Sequence, residues 1–169
     1  MNFSDPQSLT AQQYSNTELW LHNLGIHNFY IRPNGKVDVQ GDASVWLEPG
    51  KHVLDVQFGT IYGTFDISNT PTVSISGFPE IVNGNLMCHR TNIMSLSGID
   101  KAVTLVTGFI RVNHDATHLL GLLLIDGVKK IDTGAYRRDI ILNKYIGTGD
   151  IISAQDELIE AEYLLSARL

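Results

Sequence analysis

The sequence predicts an α+β protein whose centre is a short β-solenoid of about four repeats. Four glycines, Gly41, Gly63, Gly84 and Gly108, follow one another at intervals of 22, 21 and 24 residues. Apolar residues recur 2, 4, 12 and 15 positions after each of the last three glycines. A fixed period in the low twenties is typical of coils that bury a shared core by stacking. Helix signals near both ends of the chain predict a cap on each side of the stack.

The chain of 169 residues is short enough to form one domain. We expect that domain to have three parts: an N-terminal helical cap over 1–28, strand repeats over 29–131 and a C-terminal helical cap over 132–169.

The N-terminal cap is predicted from helix-boundary residues. Asp5-Pro6 is typical of a helix start. Two capping-box patterns follow, Thr10-x-x-Gln13 and Ser15-x-x-Glu18. Gly25 stands where a left-handed residue commonly ends a helix. We expect Trp20 to cover the open end of the core, because a terminal repeat otherwise exposes its apolar flank.

The repeats predict one strand each, followed by short turns. Residues after each glycine alternate between apolar and polar, so Phe65, Leu86 and Ile110 should face one interior. The first repeat fits this pattern if Ala43-Ser44 is treated as an insertion. Before it, Asn34-Gly35 between two short apolar segments predicts a hairpin.

Two helices are predicted to close the chain, one from about Tyr136 to Tyr145 and one beginning at its N-cap, Asp150. The second helix carries an apolar stripe with helical spacing, formed by Ile151, Ala154, Leu158, Ala161 and Leu165. We interpret these helices as a cap, with a helix offered to a partner as the alternative.

Composition excludes several classes of function. A net charge of −6 argues against a nucleic-acid binder that works through a basic face. No apolar run approaches the roughly 20 residues of a membrane helix, and the N-terminus lacks the pattern of a signal peptide. The single cysteine, Cys88, rules out an internal disulfide and fits a reducing cytoplasm. We expect Cys88 to be a buried apolar residue.

No motif predicts catalysis, a metal or a cofactor. His114 and His118 have the spacing of helical metal ligands, but the repeat places them in a turn. The turn from Gly147 to Gly149 precedes a helix but lacks the lysine of a phosphate-binding loop. We therefore expect a protein that is not an enzyme.

The outward strand positions predict a partner-binding face. They combine aromatic, methionine and arginine side chains, which are enriched at binding hot spots, with polar neighbours. The alternative is that a cap folds over this face and buries it. The candidate residues are Trp46, Asp66, Met87, His89, Phe109, Arg111 and Asn113.

A second candidate surface is acidic. From Asp150 to the end, five carboxylates stand against one cation, Arg168. The ordinary interpretation is a solvated helix face, and the alternative is a surface that meets a basic partner. Its candidate residues are Asp156, Glu157, Glu160 and Glu162.

Several segments resemble short leucine-rich-repeat-like proteins of large tailed bacteriophages, most of them uncharacterised. The likeness covers nearly all of the chain from about Trp20. The segments are Trp20-Leu21, Gly25–Ile31, Asn34–Asp42, Ile61–Asn69, Val73–Pro79, Asn143–Asp150 and Gln155–Ala161. One departure is that Asn69, which follows the strand, becomes Arg90 in the next repeat. The resemblance implies a leucine-rich-repeat-like ladder, a phage origin and a location in the host bacterial cytoplasm, and the family has no common catalytic motif.

These observations lead to one hypothesis of function and two alternatives. The first is a non-enzymatic protein-binding module that inhibits or redirects a host or anti-phage defence protein. The second is a virion structural or assembly protein that forms homo-oligomers through exposed repeat edges. The third is an acidic mimic of DNA that blocks a nucleic-acid-binding enzyme.

Overall fold

A computed structural model describes residues 10–169, so the helix start predicted at Asp5-Pro6 lies outside the described residues. The chain forms a stack of parallel coils, and each of the first four coils contributes two short strands separated by a sharp corner. This is the predicted α+β solenoid with helices at both ends. The strands are β1 (Phe29–Ile31), β2 (Val37–Val39), β3 (Ala43–Ser44), β4 (Phe58–Ile61), β5 (Phe65–Asp66), β6 (Ile81–Val82), β7 (Leu86–Met87), β8 (Leu105–Val106), β9 (Phe109–Arg111) and β10 (Lys130–Asp132).

The strands form two five-stranded sheets. The first sheet has the order β1-β2-β4-β6-β8, and only its β1–β2 hairpin is antiparallel. The second sheet has the order β3-β5-β7-β9-β10 and is parallel throughout. Side chains at one register position of the second sheet are fully buried in all five coils: Ala43, Phe65, Leu86, Ile110 and Ile131. The prediction that Phe65, Leu86 and Ile110 share one interior is therefore confirmed.

The first repeat contains no insertion. Ala43 pairs with Phe65 and Ser44 with Asp66, so Gly41 aligns directly with Gly63. Ala43 is fully buried in the position that larger apolar residues occupy in later coils. Its small side chain made the apolar signal too weak to place the strand. The treatment of Ala43-Ser44 as an insertion was therefore wrong.

The sequence pattern predicted the β1–β2 hairpin, which the structure confirms, but it missed the strands that extend the first sheet and it missed the last coil. The strands β4, β6 and β8 precede the repeat glycines, so each of these coils holds two strands rather than the one predicted. Their inward residues, such as Phe58 and Val82, are fully buried. A fifth coil ends at β10, where Lys129 occupies the corner that glycine holds earlier in the chain. Without that glycine the repeat was hard to recognise.

The corner glycines are required by the close approach of one coil to the next. A Cβ on Gly84 would lie 2.5 Å from the carbonyl oxygen of Gly63, and one on Gly108 would lie 2.6 Å from that of Gly84. Both contacts are with backbone, which cannot rotate out of the way. The period seen in the sequence is therefore the spacing of the corners at Gly63, Gly84 and Gly108, where the backbone of the preceding coil leaves no room for a Cβ.

Aromatic rings fill the core where the N-terminal cap meets the stack. The centroids of Phe58 and Phe65 lie 5.2 Å apart, and those of Phe65 and Phe78 lie 5.8 Å apart, both edge to face. Such pairs add about 0.5–1.5 kcal/mol to the burial of their area. Trp20 packs against this group with its ring centroid 6.3 Å from that of Phe58. Leu21, its neighbour, is the fully buried residue of the cap helix.

The N-terminal helix α1 (Ala11–Asn23) begins and ends as two of the predicted signals require. The Thr10 hydroxyl accepts a hydrogen bond from the Gln13 N–H, and the Gln13 side-chain oxygen accepts one from the Thr10 N–H. Gly25 ends the helix at φ +77°. The second capping box was wrong, because Ser15 lies inside α1.

The C-terminal cap consists of two helices and a terminal segment. A short helix α2 (Ile99–Ala102) and a 3₁₀ turn (Leu120–Leu124) lie within the coils, and α3 (Tyr136–Tyr145) and α4 (Ile151–Glu160) follow them. The predicted stripe does not reach Leu165, because α4 ends at Glu160 and Leu165 is 54% exposed. The terminal segment instead crosses the stack, where the Leu165 carbonyl accepts a hydrogen bond from the His118 N–H.

The last strand, β10, has its free edge closed by α3. The Asn143 side-chain oxygen accepts a hydrogen bond from the Ile131 N–H at 2.8 Å, and its amide donates to the Ile131 carbonyl at 2.7 Å. Asn143 thus imitates a neighbouring strand. On the same helix, the Asp139 carboxylate accepts a hydrogen bond from the Thr133 N–H at 2.9 Å. Covering an edge in this way prevents unwanted strand pairing.

The adjacent residues Leu86 and Met87 test the alternation on which this fold depends. Leu86→Ala removes a fully buried side chain, so we expect a loss of about 2–5 kcal/mol in the free energy of unfolding. Met87→Ala removes an outward, half-buried side chain and should cost less than about 1 kcal/mol. Urea unfolding followed by circular dichroism gives both values. Equal losses would contradict the inward and outward assignment.

Candidate partner-binding face and arginine cleft

The outward side of the second sheet forms a ladder of aligned side chains, here called the strand face. Strand register places one outward residue from each coil in a central row. A second row is formed by the residues that lie two positions later in the chain. The central row contains Ser44, Asp66, Met87, Arg111 and Asp132, and the next contains Trp46, Ser68 and His89. Phe109 and Lys130 are register partners in a third row, which lies on the other side of the central row from Trp46 and His89.

Side-chain hydrogen bonds to the backbone hold the strand face in register at its corner. Asp42 accepts the Thr64 N–H at 2.7 Å, and Asn85 accepts the Phe109 N–H at 3.0 Å. Each bond joins one coil to the next. These contacts hold the corners of the short sheet in a defined register.

The structure brings most of the predicted face residues together. Trp46 is 53% exposed and Phe109 is 36% exposed, while Arg111 projects into solvent. Asp66, Met87 and His89 are half-buried in the same rows. Because the first repeat has no insertion, Trp46 lies in the row of His89 rather than in the central row.

Asn113 does not belong to the exposed face, and its inclusion was wrong. Its side chain is only 8% exposed and turns toward the preceding coil. The amide donates to the Thr91 carbonyl at 2.8 Å, and its oxygen accepts the Thr91 N–H at 3.2 Å. Asn113 is therefore a structural residue that fixes the turn containing Thr91.

A cavity of about 300 Å³ opens beside the strand face, here called the arginine cleft. It lies between the turns that follow β7, β9 and β10. Its lining combines four basic side chains with one carboxylate, Asp115, and the turn residues that carry them. The basic side chains are His89, Arg90, Arg111 and His114.

Arg90 adopts a left-handed backbone conformation in this cleft. Its φ is +53°, and the aligned residue of the preceding coil, Asn69, has a φ of +61°. Asparagine tolerates this region well, whereas other non-glycine residues pay about 1–2 kcal/mol for it. Within residues 10–169, no hydrogen bond or ion pair uses the exposed Arg90 guanidinium. The fold therefore holds a strained arginine without an internal partner.

The other cleft residues are held by neighbouring coils. Arg111 forms an ion pair through its Nε with Asp132, 3.3 Å away. The His89 Nδ1 lies 2.8 Å from the Ser68 hydroxyl. Burial and the nearby positive charge of Arg111 lower the pKa of His89 below its ordinary value of 6.5, and Arg90 acts in the same direction. His89 is thus favoured in its neutral form.

Arg138 supports the cleft from below, and sequence reasoning did not find it. This arginine is 4% exposed and donates to the His114 carbonyl at 2.5 Å and to the Thr133 hydroxyl at 2.9 Å. It also reaches the Ser166 hydroxyl at 3.2 Å. Burial lowers the pKa of Arg138. One side chain thus ties two cleft turns to the terminal segment.

The acidic candidate surface is smaller than its residue list suggested. Glu157 accepts hydrogen bonds from Lys144 and from the Tyr145 hydroxyl, the latter at 2.7 Å. The Lys144 ammonium and the Tyr145 hydroxyl hold the pKa of Glu157 below its ordinary value. Of the four predicted acidic residues, three are exposed: Asp156, Glu160 and Glu162.

The remaining reactive side chains do not form a further site. Cys88 is 3% exposed, and burial raises the pKa of its thiol to about 12. His114 and His118 lie outside any helix, as the repeat predicted. His22 and His27, which sequence spacing did not connect, meet with their Nδ1 atoms 2.9 Å apart. Among residues 10–169, no group of three or more potential metal ligands occurs.

Comparison with known proteins adds no relative to this description. No protein-family model, curated protein or solved structure matches the chain. Across the described part of the chain, no helix has both the length and the apolar character needed to cross a membrane.

The adjacent residues Arg137 and Arg138 test the support beneath the cleft. Arg138→Met removes the donor to the His114 carbonyl and to the buried hydroxyl groups of Thr133 and Ser166, so we expect a loss of about 2–4 kcal/mol in unfolding free energy. Arg137 is exposed, and Arg137→Met should change stability by no more than about 0.5 kcal/mol. Urea unfolding measures both. A negligible loss for Arg138→Met would show that this side chain does not join the cap to the coils.

Proposed function

We propose that this protein is a non-enzymatic binding module that recognises a partner protein through its strand face. The supporting observation is a rigid ladder that keeps large side chains exposed in aligned rows. Trp46, Phe109 and Arg111 project from that ladder although the core beneath it is fully packed. Their residue types contribute strongly to many protein interfaces when they become buried.

The biological setting of the proposal comes from the sequence resemblance to phage proteins. In that setting the partner is a host or anti-phage defence protein in the bacterial cytoplasm. The module would act stoichiometrically, by blocking or redirecting its partner. The strand face suits this role because parallel rows of side chains can cover a partner surface without moving the backbone.

A three-residue variant tests the strand face. Met87, Phe109 and Arg111 are each changed to alanine, and the tagged protein is used to capture partners from bacterial lysate. Candidates identified by mass spectrometry are then purified for calorimetric titration. We expect the variant to bind at least about tenfold more weakly, because it loses three hot-spot side chains.

A matched control separates loss of the face from a general effect of three substitutions. Tyr62, Lys101 and Leu124 are exposed and lie outside the strand face. Their triple alanine variant removes an aromatic, a cationic and an apolar side chain, and it should bind as the unmodified protein does. Unchanged affinity in the face variant, with a folded circular-dichroism spectrum, would refute the proposal.

An assembly role is the second candidate, and the edge of β3 favours it. Within the described residues, the N–H groups of Ser44 and Trp46, which point away from β5 at the edge of the sheet, have no backbone or side-chain acceptor. This edge differs from that of β10, which Asn143 covers. An open edge can pair with a strand of another chain. Homo-oligomers formed in this way would suit a virion structural component.

Light scattering after size exclusion distinguishes the assembly role. If copies pair through β3, the mass should rise with concentration, and Trp46→Lys should return the protein to a monomer by placing charge at the edge. A monomer at all concentrations up to about 1 mM would exclude assembly through β3, since even weak pairing with a millimolar Kd would be visible there.

A further inference from the structure

We infer that the arginine cleft binds a carboxylate side chain of the partner protein. This inference rests on the proposed function and gives its binding face a defined chemical preference. The cleft opens beside the strand face and shares His89 and Arg111 with it. A partner that covers the strand face as far as Arg111 would therefore reach the cleft.

Arg90 carries the inference. Its guanidinium has no internal partner within residues 10–169, and its backbone is held in a region that arginine occupies at a cost. The aligned residue Asn69 shows that the same turn forms with a side chain suited to it. Strained residues of this kind cluster at binding sites, and the strain at this turn agrees with a role for Arg90 beyond the fold.

The surrounding turns place Arg90 and its basic neighbours around one cavity. Asn113 fixes the backbone of Thr91, the residue after Arg90, through hydrogen bonds in both directions. Arg138 fixes the carbonyl of His114 on the opposite side of the cleft. Both supports are buried, so the basic groups are presented by rigid turns rather than by mobile loops.

The charge balance favours a carboxylate over a phosphate. Asp132 already pairs with Arg111, and Asp115 lies in the lining. Burial and the positive charge of Arg111 lower the pKa of His89, which favours its neutral ring. Arg90 and Arg111 are therefore matched in number by Asp115 and Asp132, and within residues 10–169 Arg90 is the cleft arginine without an ion pair, which suits a single carboxylate better than a phosphate dianion. A guanidinium fork also matches the planar geometry of a carboxylate.

Nuclear magnetic resonance provides a direct test with defined probes. A blocked tripeptide with a central glutamate, its glutamine counterpart and inorganic phosphate are each titrated against the full-length protein. The arginine Nε–H signals and the His89 and His114 ring signals are followed at constant ionic strength. We expect saturable shifts at Arg90 and Arg111 with the glutamate peptide, a Kd in the millimolar range, and none with the glutamine peptide.

Three variants sharpen this test. Arg90→Asn should abolish the saturable shifts and raise Tm, because asparagine relieves the left-handed strain while removing the cation. Asp115→Asn should tighten binding by severalfold, since it removes the carboxylate in the lining. Lys101→Gln changes the net charge by one unit at a different cavity and should leave binding unchanged.

The outcomes separate this inference from the proposed function. Saturable binding that survives Arg90→Asn, or no saturable binding to the unmodified protein, would overturn the carboxylate site. Phosphate binding at least tenfold tighter than the glutamate peptide would also overturn it. A lower Tm in Arg90→Asn would show that Arg90 serves the fold. If the titration succeeds while a Met87→Ala/Phe109→Ala variant, which keeps the cleft residue Arg111, still binds its partner normally, the cleft stands and the proposed face is wrong.

Discussion

The close approach of neighbouring coils at the corner glycines is the constraint on which the structure depends. At Gly84 and Gly108, backbone atoms of the preceding coil lie too close to leave room for a Cβ. This contact keeps the strands of both sheets in register, so apolar residues such as Leu86 and Ile110 fall above one another. No single coil can cover its own apolar face, and stability comes from stacking together with the two caps.

The strand face and the arginine cleft follow from the same stacking. Register places Met87 beside Arg111, although the two residues are far apart in the chain. Turns that follow successive strands are likewise brought together, and their basic side chains meet around one cavity. The C-terminal cap then fixes these turns through Arg138. A surface that could recognise a partner is therefore built from residues whose backbone positions are set by the core.

The architecture could be predicted from the sequence wherever a local rule repeats. Glycine spacing predicted the coils, and Thr10 and Gly25 predicted the boundaries of α1. The site could be predicted only in part, since alternation after the glycines indicated which side chains point outward. Asn113 broke that alternation because a hydrogen bond to another coil pulled it inward. Arg138 gave no local signal, as its partners at His114 and Ser166 are distant in sequence and meet it only after the cap has docked.

Methyl contacts across the coils offer the most direct test of stacking. Neighbouring strands in a sheet lie about 4.8 Å apart, so nuclear Overhauser spectra should connect the Ile110 methyl groups to those of both Leu86 and Ile131. Leu86 and Ile131 should show no direct contact, since Ile110 stands between them. A spectrum in which Ile110 contacts neither residue, with all three assigned and resolved, would contradict the stacked solenoid.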